Sequence, residues 1–112
     1  MVHDEIPQDA TGDAIRRVRD SGSDLSKPMV IDFHIAVPSE VSGGRIAIGA
    51  QKGGYKTEVY CDDTGKNWTC QCSKTMIASH SAITQIEQEL GTLSKSEGGY
   101  MDGWGTFGNG DG

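Results

Sequence analysis

Two alternating segments on either side of a five-residue turn constrain this chain more than any other feature. From Tyr55 to Cys61, residues Tyr55, Thr57, Val59 and Cys61 share one face, with Lys56, Glu58 and Tyr60 opposite. From Asn67 to Thr75 the alternation resumes, with Trp68, Cys70, Cys72 and the following Met76 on one side and Thr69, Gln71, Ser73 and Thr75 on the other. Successive side chains of a strand point to opposite faces, so both segments read as half-buried strands. Asp62-Asp63-Thr64-Gly65-Lys66 supplies the turn, with Gly65 where a left-handed residue is needed. An antiparallel hairpin follows, and another part of the chain has to cover the face that carries Val59 and Trp68.

A further strand lies upstream. Met29, Ile31, Phe33, Ile35 and Val37 form its apolar face, Val30, Asp32, His34 and Ala36 its second face, and Pro28 and Pro38 bound it. Three helices complete the pattern. The first is capped by Asp9, Thr11 or Asp13 and carries Ala14, Ile15 and Val18, with Arg16, Arg17 and Arg19 on its other faces. This basic cluster reads as a solvated face. The second covers 39–53 and holds Gly43-Gly44, each glycine costing about 1 kcal/mol relative to alanine, so close packing on the sheet has to justify them. The third starts at Ser79 or Ser81, repeats Ile83, Ile86, Leu90 and Leu93 along one stripe, and stops at Gly98-Gly99.

Without its first helix the order is βαββα, the ferredoxin-like split βαβ pattern with its last strand reduced or replaced. Gly105–Asn109 is the segment expected to form a short edge strand in that position. The expected fold is therefore α+β: a ferredoxin-like α/β sandwich, an antiparallel sheet with helices packed on one face, and an extra N-terminal helix. Residues 1–8 read as a loose lead-in, 9–107 as a single domain and 108–112 as a flexible tail. The closing segment from Gly98 to Phe107 sets Tyr100, Trp104 and Phe107 among glycines. Disordered tails are poor in aromatics, so these three rings are expected to pack, with Trp104 as a plug beside the last helix and Asp102 turning the chain.

Charge narrows the function. Ten Lys and Arg against sixteen Asp and Glu leave a net charge of −6, which opposes phosphate-backbone binding and favours a basic partner or simply solubility. No apolar run reaches transmembrane length and no secretory leader stands at the start, which points to a soluble, cytoplasmic protein with no membrane association.

Candidate chemistry is sparse. Cys61, Cys70, Cys72 and His80 could be combined into a zinc site, but the one-residue gap between Cys70 and Cys72 fits a zinc knuckle poorly, and the cysteines read as core residues. No metal or other cofactor is expected. Asp32, His34, Glu58 and Tyr60 would be neighbours on the outer sheet face if the first strand lay beside the hairpin, and a His with a carboxylate can act as an acid–base pair. No nucleophile or phosphate-binding loop accompanies them. A small-molecule-binding or enzymatic domain built around His34 is thus the alternative to a solvated polar face. An RNA-recognition domain would need a basic, aromatic third strand; the outward residues here are hydroxyls and an amide, so direct nucleic-acid binding is not expected.

Several segments together resemble the regulator of ribonuclease E activity B family, small acidic bacterial proteins that bind and inhibit ribonuclease E. They are Gly22-Ser23-Asp24-Leu25-Ser26-Lys27-Pro28 leading to Val37-Pro38, Trp68 followed by Lys74-Thr75-Met76, and Gly98-Gly99 followed by Asp102-Gly103-Trp104-Gly105. The likeness runs from about residue 12 to 107. Met101 stands where the family shows Tyr, with Tyr100 one position earlier, and Ile77-Ala78-Ser79 lacks a proline common there. The resemblance implies the same sandwich fold, no catalytic residues, and a non-enzymatic regulator that binds ribonuclease E and inhibits or modulates RNA cleavage. Glu58, Tyr60, Asp62, Asp63, Tyr100 and Asp102 are the candidate contact residues.

Overall fold

The computed structural model describes residues 8–109. Most of the lead-in read over 1–8, and residues 110–112 of the tail, lie outside them. The elements are α1 (Ala10–Asp20), β1 (Met29–Val37), α2 (Glu40–Lys52), β2 (Lys56–Cys61), β3 (Trp68–Met76), α3 (His80–Lys95) and β4 (Tyr100–Thr106). The strands form one sheet in the order β2-β3-β1-β4, with every neighbouring pair antiparallel. After α1 the chain is thus βαββαβ, the complete ferredoxin-like α/β sandwich.

Each helix begins where a short polar side chain replaces a missing backbone partner. Asp9, Ser39 and Ser79 are extended and accept from the backbone N–H groups of Gly12, Ser42 and Ala82. The helices cover one face of the sheet. Phe33, Ile31 and Ile35 of β1 are fully buried there against Ile46 of α2, Ile83 and Leu90 of α3, and Ile15 of α1. Each such side chain contributes roughly 1.5–3 kcal/mol through burial. The adjacent glycines Gly43 and Gly44 of α2 differ. A Cβ on Gly43 would stand 2.8 Å from Val59 Cγ1, whereas one on Gly44 would meet nothing within 4 Å. Close approach to the sheet demands Gly43 alone.

The final strand runs Tyr100–Thr106 and not over Gly105–Asn109. A bulge hides it from a period-two reading: the register with β1 shifts between His34 and Ile35, leaving Asp102 as the extra residue. Met101 and Trp104, three apart, therefore both face the helices, opposite Ile35 and Phe33. Gly103 takes φ +144° inside the bulge, a conformation open to glycine. The strand enters tightly, since a Cβ on Gly99 would lie 2.8 Å from the carbonyl oxygen of Ala36.

The three aromatics of this segment do not share one fate. Trp104 is half-buried against the core, but Tyr100 is 62% exposed and Phe107 fully exposed. Tyr100 faces outward because it pairs with Ala36 on the uncovered side of the sheet. Beyond the strand, Asn109 is bound to the 24–28 connector. Its Oδ1 accepts from Asp24 N–H at 2.8 Å, and its Nδ2 donates to the carbonyls of Asp24, Lys27 and Pro28.

Candidate partner-binding surface

The strand register defines three rows across the uncovered face. Tyr60, Thr69, Ala36 and Tyr100 form one; Glu58, Gln71, His34 and Gly103 the next; Lys56, Ser73, Asp32 and Gly105 the third. None of these residues is buried, so none of the three described helices covers them. The floor is low: Thr69 and Ala36 lie between the two tyrosines, and β4 offers only glycines beside His34 and Asp32. The His34 imidazole leans toward β4, with Cε1 4.0 Å from where a Cβ on Gly105 would be.

The pairing separates groups that the alternation alone brings onto one face. β3 intervenes between β1 and β2, so His34 lies two strand spacings, about 9–10 Å, from Glu58 in its own row, while Asp32 and Tyr60 stand in the rows on either side and are further apart. Asp32 accepts from the Ser73 hydroxyl at 2.6 Å, while the Tyr60 hydroxyl donates to Gln71 Oε1 at 3.4 Å. Burial, and then the carboxylates of Glu58 and Asp32, hold the Tyr60 phenol above its usual range. Gln71 and Ser73 tie the face together. Their positions follow from strand order, so a reading of each strand alone does not single them out.

The remaining contact candidates occupy the rim. Asp62 closes the hairpin turn, accepting from the Thr64 hydroxyl and the Asn67 amide, both at 2.6 Å. These bonds, with backbone N–H groups behind them, lower its carboxyl to about 2. Asp63 follows it, exposed, in the same turn. Asp102 is exposed at the bulge, between the inward-facing Met101 and Trp104, and so lies on the outer side with Gly103. Met101 packs against the core, whereas Tyr100 points out. An aromatic at one position cannot stand in for an aromatic at the other, because a one-residue shift along a strand changes face. Tyr100 also borders two hollows: one of about 400 Å³ between α3 and β4, beside Gly91, Thr92, Lys95 and Met101, and one of about 280 Å³ formed with Ala36, Pro38, Asn67, Trp68 and Gly98.

Arginine is confined to the helix elements, whereas carboxylates lie on both sides. All four arginines lie in α1 and α2. Lys74 points to the helix side, its Nζ 4.8 Å above the Tyr55 ring. The outer face carries Asp32, Glu58 and Asp102 against Lys56, while the turn adds Asp62 and Asp63 against Lys66. The cysteines divide as well. Cys70 and Cys72 are buried with sulfurs 4.0 Å apart, and Cys61 is exposed at the end of the edge strand β2. Hydrogen bonding to Cys70, with burial, pushes the Cys72 thiol well up, so it stays protonated. His80 is engaged elsewhere, with Nε2 2.8 Å from Asp9 Oδ2. Among the described residues, no three of His, Cys, Asp and Glu are placed to hold a metal ion, and no helix is long and apolar enough to cross a membrane.

Fold and surface together define a ferredoxin-like α/β domain with one acidic, tyrosine-bearing sheet face left open. Comparison with known proteins gives its family. The sequence profile described as Regulator of ribonuclease activity B matches residues 8–106, and the chain belongs to that family. It is also 32% identical over 104 residues, 89% of this chain and 73% of the other, to a protein from Actinobacillus succinogenes named Regulator of ribonuclease activity B.

Proposed function

We propose that this chain is a non-enzymatic cytoplasmic regulator that binds ribonuclease E through protein–protein contacts and lowers RNA cleavage. The family match across residues 8–106 carries this reading, and the acidic open face supplies a surface suited to a basic partner. Glu58, Tyr60, Tyr100 and Asp102 are the contacts proposed on the strands, with Asp62 and Asp63 adding charge at the hairpin rim. The binding unit is residues 9–107. The proposed contact needs no catalytic group, and the His34 side chain serves as part of a polar surface.

The test is cleavage of an RNA substrate by purified ribonuclease E, with and without this protein, alongside co-purification at low and high salt. The reading requires slower cleavage and capture that weakens as salt screens the charges. Failure to capture ribonuclease E even at low salt would sink it.

A further inference from the structure

The outer face joins two properties that select one kind of side chain. Tyr60 and Tyr100 are both exposed, at 38% and 62%, and stand at opposite ends of one row, with only Thr69 and Ala36 between them. Exposed aromatics on such a sheet offer flat surfaces for a planar group. A nucleobase would bring phosphate, and this face repels it: Asp32, Glu58 and Asp102 outnumber Lys56 on the strands, and no arginine is present on any of them. The group that suits both the rings and the carboxylates is planar and cationic.

We propose that the open face binds an extended, arginine-bearing segment of a protein partner, with guanidinium groups stacked on Tyr60 and Tyr100 and paired with Glu58 and Asp102. The proposal rests on the regulatory reading above and specifies the partner's chemistry. Arginine and lysine differ here. Guanidinium is planar, weakly hydrated and able to lie on an aromatic ring while bonding a carboxylate, whereas ammonium is a compact, strongly hydrated charge. The two tyrosines lie three strand spacings apart, about 14 Å, so a segment spanning both needs at least five extended residues.

The experiment titrates the full chain with two capped ten-residue peptides of equal charge, one carrying arginines and the other lysines at the same positions. Isothermal calorimetry is expected to give at least about fivefold tighter binding of the arginine peptide. The preference falls to about one in Tyr60→Ala/Tyr100→Ala and survives in Tyr60→Phe/Tyr100→Phe, which keeps the rings. Both tyrosines are exposed, and thermal unfolding confirms that the alanine variant is folded. Equal binding of the two peptides, a preference that outlives the alanine changes, or tighter binding of a single-stranded RNA of the same length overturns the proposal. Ribonuclease E capture separates this from the broader reading. Equal capture by wild type and the alanine variant removes the arginine proposal together with the two tyrosine contacts and leaves ribonuclease E binding standing; no capture, with the peptide preference intact, removes the ribonuclease E reading alone.

Discussion

Adjacent glycines in α2 are expected to respond to the same substitution with opposite signs. Gly43→Ala places a methyl 2.8 Å from Val59 Cγ1 and 3.4 Å from Val37 Cγ2. Val59 belongs to β2 and packs against the core, so relief requires the helix to lift or the strand to shift. Overpacking of this kind costs about 1–3 kcal/mol, and the helix-propensity gain of about 1 kcal/mol offsets part of it. The net expectation is a loss of about 0–2 kcal/mol. Gly44→Ala meets nothing within 4 Å, so only the gain remains, about 0.5–1 kcal/mol. For a domain of this size that raises Tm by roughly 2–8 °C. Urea denaturation of both variants measures the two signs. Val59→Ala made together with Gly43→Ala isolates the cause: removing the γ-methyls should recover the helix-propensity gain, giving a favourable coupling between the sites. Gly43→Ala as stabilising as Gly44→Ala, or a coupling of zero, would refute the close packing of α2 on β2.

Other consequences follow from single side chains. Asp62 has a depressed folded-state carboxyl, so its contribution is present above the ordinary value of 3.8 and lost as pH falls toward about 2. The Tm gap between wild type and Asp62→Ala is therefore expected to narrow over that interval, and a constant gap contradicts the assignment. Trp104→Ala should cost about 2 kcal/mol in chemical denaturation, below the 3–5 kcal/mol of a fully buried ring, because the indole is half-buried. Asn109→Ala, which removes the bonds to the 24–28 connector, should cost about 1 kcal/mol and speed amide exchange at Asp24; unchanged exchange there argues against the clamp.

Much of the fold is legible in the sequence because its local signals agree with its packing. The hairpin, the apolar face of β1 and the stripe on α3 each follow one period, and the structure realises them within a residue or so. The closing strand is less legible for a physical reason. The bulge at Asp102 puts Met101 and Trp104 on the same side, and glycines remove the alternation that would mark the rest. The candidate surface divides in the same way. Tyr60 and Glu58 can be assigned to the outer face from β2 alone, but their separation from Asp32 and His34 depends on strand order, a long-range property. Asp62 is a turn signal in the sequence, and its bonds to Thr64 and Asn67 explain why. The clamp formed by Asn109 spans more than eighty residues of sequence and leaves no local trace.

The most direct test of the account is a map of backbone amide shifts as the basic partner segment is titrated into the full chain. Shifts concentrated on Glu58, Tyr60, Gln71, His34, Tyr100 and Asp102 are the predicted result, with α1 and α3 silent. Shifts concentrated on the arginine-bearing helix α1 or on the outer side of α3 would contradict the central claim that the uncovered sheet face meets the partner.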